Sequence, residues 1–378
     1  MTAAPAQLAE YRPALRKKIL ISSGMLHGAR TVHLIKDTDS GRSFEVGVKE
    51  HFLISRMDGT RSLEDIGTDY AREYGRRLGD TNWQGILGML GSRGLLQGSE
   101  RAPVTSMSAG ARVKRKRKHA RNSFMRGDRR LVTDADATTA RLYRATRFLL
   151  TPYAMVPMLL MVAAMEGVML LHLGEFVLGA WGMLRNPVLL AGAGCLMWLS
   201  TTLHELAHGV TARHYGGHVT EIGLRWRLPL IMMYCEVDNY LYLRTRWQRI
   251  ATAVAGAVMN LLFLLPFCAV WLFVPSDDAT HDALGGLVFL GSAQALAMLV
   301  PLPPLDGYKI AGQLAGATQL AADSRAYLVL AVRRDPAAAD YPRRARIAYL
   351  AYVLGTVLVL CALVAAFAAL ALFLLTTL

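Results

Sequence analysis

Four cysteines in 378 residues leave no basis for a disulfide framework. Cys195, Cys235, Cys268 and Cys361 stand singly, three of them inside apolar runs, and none has a partner at metal-knuckle spacing. A cysteine metal site is therefore excluded as well. Also missing is an apolar core in the first 20 residues, MTAAPAQLAEYRPALRKKIL, where charge interrupts throughout, so no cleaved targeting segment is expected. Acidic residues are the minority, 28 against 42 lysines and arginines, for a net charge of +14. The basic residues cluster between apolar segments, which signals membrane topology before it signals nucleic acid. What is abundant is apolar: 53% of the residues are hydrophobic, more than a soluble globular chain needs. The composition describes a membrane protein with a soluble part.

The soluble part comes first. Residues 12–100 read as a small α+β domain. TVHLI and SFEVGV alternate like half-buried strands around the turn-rich KDTDSGR, a hairpin signal. Three short helices are expected next. Phe52, Leu53, Ile54 and Met57 lie on the first. The second opens with Ser62 as N-cap and Asp65 three positions on, an approximate capping box, and then sets Leu63, Ile66 and Tyr70 on one face. Trp83, Ile86, Leu87 and Leu90 line the third, and GLLQG at 94–98 is expected to return as a closing strand. Hairpin, three helices and wing make the order of a winged helix.

Residues 101–145 read as a basic cytoplasmic linker. Its segment ARVKRKRKHARNSFMRGDRR carries too little apolar surface to order itself. A polybasic strip of this kind suits anionic lipid headgroups, or serves as a solvated spacer. No aromatic residues interleave with the charges, so nucleic acid is not an expected partner.

Residues 146–378 hold five apolar runs long enough to span a hydrocarbon core of about 30 Å, near 148–172, 187–212, 249–274, 283–304 and 346–376. The connection 213–249 holds Arg213, Arg225, Arg227, Arg244, Arg246 and Arg249, whereas 275–282, PSDDATHD, has no lysine or arginine. The segment 308–346 is again basic and 173–186 has only Arg185. The positive-inside rule then predicts a cell-membrane protein with a cytoplasmic N-terminus and an outward C-terminus. Glu166, inside the first run, is expected to serve bundle packing or a water-filled cavity. Residues 220–245, apolar for a loop and interrupted by Pro229, are expected to re-enter or lie at the interface and present an edge to a substrate.

The polar group inside the second run is the informative one. In TTLHELAHGVTARHYGG, His204 and His208 lie one turn apart on one helix face, so both imidazoles reach one metal ion, and Glu205 lies alongside its water. Zinc suits such nitrogen and oxygen donors and keeps a position open for water. Two satisfied histidines on an ordinary helix would give the same letters. In a membrane span, though, an ionisable residue costs about 2.5–3.5 kcal/mol on insertion scales, which disfavours that reading. If the span starts at Pro187 on the outer side, His204 lies roughly 25 Å inward at 1.5 Å per residue. The fourth run ends in LVPLPPLDGYKI and carries Asp306 to a similar depth.

Two resemblances follow from these residues. HELAHGVTARHYGGHV, AGAVMN at 255–260 and PLPPLDG at 301–307 together resemble the site-2 protease family of intramembrane zinc metalloproteases. That resemblance implies His204, His208 and Asp306 as zinc ligands, Glu205 as the base that activates water, and Asn260 as a contact for an extended substrate backbone. For Asn260 an interhelical hydrogen bond is the other reading. Met298 stands where many members have asparagine. The stretch FLISRMDGTRSLEDI with ILGMLGSRGLL resembles PqqD-like domains, which recognise leader peptides of ribosomally made, modified peptides. The pairing implies a protease that removes the leader of a precursor peptide in natural-product maturation, of the daptide type among others. Two alternatives stay open: a general site-2 protease that releases a membrane-bound regulator, and a membrane-tethered DNA-binding regulator with no enzymatic activity. The oligomeric state is not legible.

His214 competes with Asp306 as third ligand, since it follows His208 at metzincin spacing. Those enzymes break the helix with glycine, where this chain has Thr211. On an unbroken helix six residues advance about 9 Å and turn to another face. Asp306 is therefore the expected ligand, with Gly307 after it permitting an unusual backbone.

Overall fold

A computed structural model describes residues 8–98, 125–228 and 230–377. Pro229 and most of the basic linker lie outside the described residues. The chain divides into two compact units, one of residues 1–118 with 339–345 and the other of residues 119–338 with 346–378.

The N-terminal unit is built on a four-stranded antiparallel sheet of β1 (Ile19–Ile21), β2 (Met25–His27), β3 (Arg30–Asp37) and β4 (Arg42–Gly47). β3 is central: β4 pairs with it from Val32 to Asp37, while β1 and β2 pair with the two ends of β3. Three helices follow, α1 (Val48–Ile54), α2 (Leu63–Tyr74) and α3 (Asp80–Ser92). The capping box at α2 is complete: the Asp65 amide donates to the Ser62 hydroxyl and the Asp65 carboxylate accepts from the Ser62 amide. Gly75 closes the helix in the left-handed region at φ 66°, where a side chain would be strained. Ile35, Leu53, Ile54, Leu63, Ile66 and Leu90 form the centre of one apolar core. The expected closing strand is reduced to an isolated bridge between Leu96 and Leu15, so the wing is not built as a strand.

The helical unit starts earlier than expected. Residues 126–130 form β5 and 135–146 form α4 (Ala135–Thr146), within the stretch expected to be linker. The physical reason lies in local capping and in partners elsewhere in the unit. The Asp134 side chain caps α4 by accepting from the Ala137 amide, Asp136 pairs with Arg213 at 2.8 Å, and Ala135 and Thr139 are buried. β5 (Arg126–Arg130), β6 (Val219–Arg227) and β7 (Leu230–Val237) make a three-stranded antiparallel sheet in that order. The apolar loop of the sequence is thus a hairpin with β7 at the sheet edge.

Four of the helices are long and apolar enough to cross a membrane: α5 (Pro152–Leu171), α7 (Pro187–His214), α8 (Arg246–Phe273) and α12 (Arg343–Thr377). The fourth expected run differs. It becomes α9 (Asp278–Ala297), which has the length to cross but not the apolarity. The reason is its packing. α9 lies against α8 and against α6 (Leu173–Arg185), a helix the sequence reading left as a connection. Gly285, Gly286, Gly291 and Ser292 are buried on it. A Cβ on Gly179 of α6 would meet the Asp282 carbonyl oxygen at 2.4 Å, and one on Gly286 would meet that of Gly179 at 2.7 Å. Small residues let these backbones touch, as they do between helices in lipid. After α9 the chain turns through the prolines into α10 (Asp306–Ala315), then α11 (Leu320–Val332). Glu166 accepts a hydrogen bond from the Ser292 hydroxyl at 2.8 Å and so serves packing between α5 and α9.

Candidate metal centre

α7, α8 and the start of α10 supply the polar groups. His204 and His208 leave α7 on one face, as their four-residue spacing requires. Asp306 is the first residue of α10. The three meet: Asp306 Oδ2 lies 2.9 Å from His204 Nε2 and 3.0 Å from His208 Nε2, and the two nitrogens are 3.1 Å apart. All three side chains are buried. Among the described residues this is the one group of histidine, cysteine and carboxylate side chains whose donor atoms converge so closely.

Backbone shape makes the convergence possible. His204 lies against Gly256 of α8, where an added Cβ would fall 2.5 Å from the imidazole ring. Gly307 is needed for close approach, not for an unusual dihedral angle: a Cβ there would fall 2.0 Å from the Leu299 carbonyl oxygen. The Gly307 amide donates to the Met298 carbonyl oxygen at 2.9 Å, which fixes where α10 begins. Met298 thus contributes its backbone to the site's frame.

The donor set fits a metal ion. His208 Nδ1 donates to the Thr252 carbonyl oxygen at 2.6 Å, which leaves Nε2 as a bare lone pair directed at His204 and Asp306. Such a carbonyl contact is how metal-binding histidines are held in the required tautomer. His204 Nδ1 is buried and has no hydrogen-bond partner, so the polar contacts of that ring are those of Nε2 with Asp306 and His208. Ligand atoms about 2.0–2.1 Å from a tetrahedral zinc ion would lie about 3.3 Å apart, close to the separations here.

Around this centre, Glu205 is half-buried, and its Oε2 accepts the Cys235 amide of β7 at 3.1 Å. Trp198 Nε1, seven residues earlier on α7, donates to the Ile231 carbonyl oxygen at 2.9 Å. The outward edge of β7 is therefore met by two side chains of the metal-site helix. Burial, with Glu205 beside it, pushes the Cys235 thiol up to about 12, so it stays protonated and is a poor nucleophile or ligand. Asn260 accepts from the Ser200 hydroxyl at 3.0 Å, an interhelical bond, while its Nδ2 is buried without a partner. His214 is not near the cluster's donor atoms; its Nδ1 lies 3.2 Å from the Tyr143 hydroxyl. Lys309, which the sequence reading used only as a topology charge, reaches Asp306 Oδ1 at 2.7 Å. Its position one turn after Asp306 was the available signal.

Comparison with known proteins reaches the same part of the chain. Residues 193–298 match Peptidase family M50, a stretch that contains His204, Glu205, His208 and Asn260 and stops short of Asp306. A protein of Synechocystis sp., provisionally named a zinc metalloprotease, is 31% identical over 112 residues, 30% of this chain and 28% of that protein. The provisionally named zinc metalloprotease Rip2 of Mycolicibacterium smegmatis is 30% identical over 142 residues, 31% of this chain and 53% of that protein. The chain thus spans about half or less of the length of these curated relatives. No solved structure matches.

Proposed function

We infer that this chain is a zinc metalloendopeptidase of the site-2 type, working in the cell membrane. The observation that carries this reading is the convergence of His204 Nε2, His208 Nε2 and Asp306 Oδ2 beside Glu205. Two imidazoles and one carboxylate leave a coordination position for water. Bound there, zinc supplies an acidified water and a Lewis acid for the scissile carbonyl. Glu205 accepts the proton of the attacking water and returns it to the leaving amine. Its contact with the Cys235 amide aims one carboxylate oxygen and leaves the other for that transfer. The unpaired Asn260 Nδ2 suits a substrate carbonyl oxygen. A membrane helix can be cut only after its amides leave their internal hydrogen bonds, so the substrate is bound unwound, and the β7 edge is the backbone partner for it.

The N-terminal unit, read as PqqD-like with its wing reduced to the Leu15–Leu96 bridge, captures the leader of a precursor peptide, and the helical unit then removes that leader. A strand added to the sheet edge would give affinity in the micromolar range, on the order of −8 kcal/mol. Anionic lipid is the partner of the basic segment before β5. The N-terminus is cytoplasmic and the C-terminus outside, which requires α9 to cross in spite of its lower apolarity, inside the bundle and covered by α6 and α8. Reporter fusions at Gly98 and Leu378 should then give opposite signals; equal signals contradict this topology. To test the function, the purified full-length protein with zinc is incubated with short precursor peptides encoded beside its gene, and products are read by mass spectrometry. Loss of a leader with wild type and none with Glu205→Gln supports the reading. Cleavage of unrelated membrane peptides alone would favour a general site-2 protease, and sequence-specific DNA binding by residues 12–100 a tethered regulator.

A further inference from the structure

Asp306 uses its two oxygens differently. Oδ2 faces both histidine nitrogens, while Oδ1 accepts the Lys309 ammonium at 2.7 Å. The carboxylate is 7% exposed and the lysine side chain 49%, so the charge reaches the buried site from its rim. A carboxylate can offer a metal ion one oxygen or two. Two would fill the position that a hydrolytic centre keeps for water.

Backbone contacts fix only where Asp306 starts. The Gly307 amide on the Met298 carbonyl, and the close approach of Gly307 to Leu299, place the first turn of α10 but do not fix how the carboxyl turns about the Oδ2 that faces the histidines. Lys309 removes that freedom through a charge-assisted hydrogen bond, about twice as strong as a neutral one. Helix stability does not account for the lysine. A cation in the first turn opposes the helix dipole, and the N-cap of α10, Leu305, makes no side-chain bond. A partly exposed pair three residues apart contributes only about 0.2–0.5 kcal/mol.

The geometry points to Lys309 as a positioning residue that holds Asp306 as a one-oxygen ligand and thereby keeps the water position open. This rests on the zinc reading above. Hydrogen-bond partners of ligands typically change metal affinity by about 10–100-fold when removed. The test uses the full-length protein, stripped of metal, as wild type, Lys309→Met, Lys309→Gln, Lys309→Arg and His204→Ala. Zinc affinity is read by competition with a fluorescent chelator, and ligand number by the visible absorption of the cobalt(II) form, which weakens when a fifth ligand is added. Lys309→Met should bind zinc about 10–100-fold more weakly with a weaker cobalt band, and Lys309→Arg should stay within about threefold of wild type. Lys309→Gln, which keeps a neutral donor, should fall between and carries the test if Lys309→Met does not fold. Wild-type zinc affinity and an unchanged cobalt band in both Lys309→Met and Lys309→Gln would overturn the role. If His204→Ala also keeps wild-type zinc affinity, the metal site itself is wrong and the inference falls with it.

Discussion

In the N-terminal unit the buried positions include Ile35, Leu53, Ile54, Leu63, Ile66 and Leu90; around the metal centre they include His204, His208, Asn260, Asp306 and the glycines that let them meet. The first set follows from water. An α+β domain in aqueous surroundings hides its apolar side chains, and each contributes about 1.5–3 kcal/mol when buried. The second set follows from lipid, which gives apolar side chains no reason to turn inward. There polar residues are inward beside an apolar core that includes Phe176, Leu264, Trp271 and Val288, and close backbone contact adds to that packing. Damage to the first unit should therefore be graded and damage to the second abrupt.

The largest expected effect is chemical. Glu205→Gln should lower peptide cleavage by roughly 100- to 10,000-fold, the range for a general base, while leaving zinc content unchanged. Cleavage and elemental analysis on the same preparation check it. Next comes Gly256→Ala, whose added methyl group would fall 2.5 Å from the His204 ring. It should displace the ligand and lose zinc and activity together, although no polar group has been removed. Gly179→Ala should cost about 1–3 kcal/mol of stability through overpacking, because its Cβ meets the Asp282 backbone. Gly182→Ala, on the same helix but with nothing within 4 Å, should not destabilise in the same thermal melts and can gain up to about 1 kcal/mol from helix propensity. The smallest effect belongs to the other unit. Ser62→Ala removes the α2 cap and should cost about 1 kcal/mol, read as earlier unfolding of the N-terminal unit with zinc binding untouched. If Gly182→Ala proved as harmful as Gly179→Ala, close backbone contact would not be what distinguishes the two positions.

The same physics decides what was legible in the sequence. Ser62, Leu63, Ile66 and Tyr70 could be read because water imposes a helical period and a cap on them. His204, His208 and Asp306 could be read because polar letters are conspicuous in apolar runs. α9 reads as a plain apolar span, since its glycines answer to α6 and α8 and its Ser292 to Glu166 of α5, partners that no local window contains. For the same reason β5 and α4 read as linker in the sequence: their order comes from β6 and from Arg213, more than 70 residues away. Lys309 was visible as a charge but not as a contact, because its role depends on which way the Asp306 carboxylate turns.

The central claim is that Asp306, and not His214, completes the site with His204 and His208. Bound zinc measured by elemental analysis on purified wild type, Asp306→Asn and His214→Ala tests it most directly. The account predicts one zinc per chain in wild type and His214→Ala and a large loss in Asp306→Asn. Zinc retained by Asp306→Asn and lost by His214→Ala would contradict it.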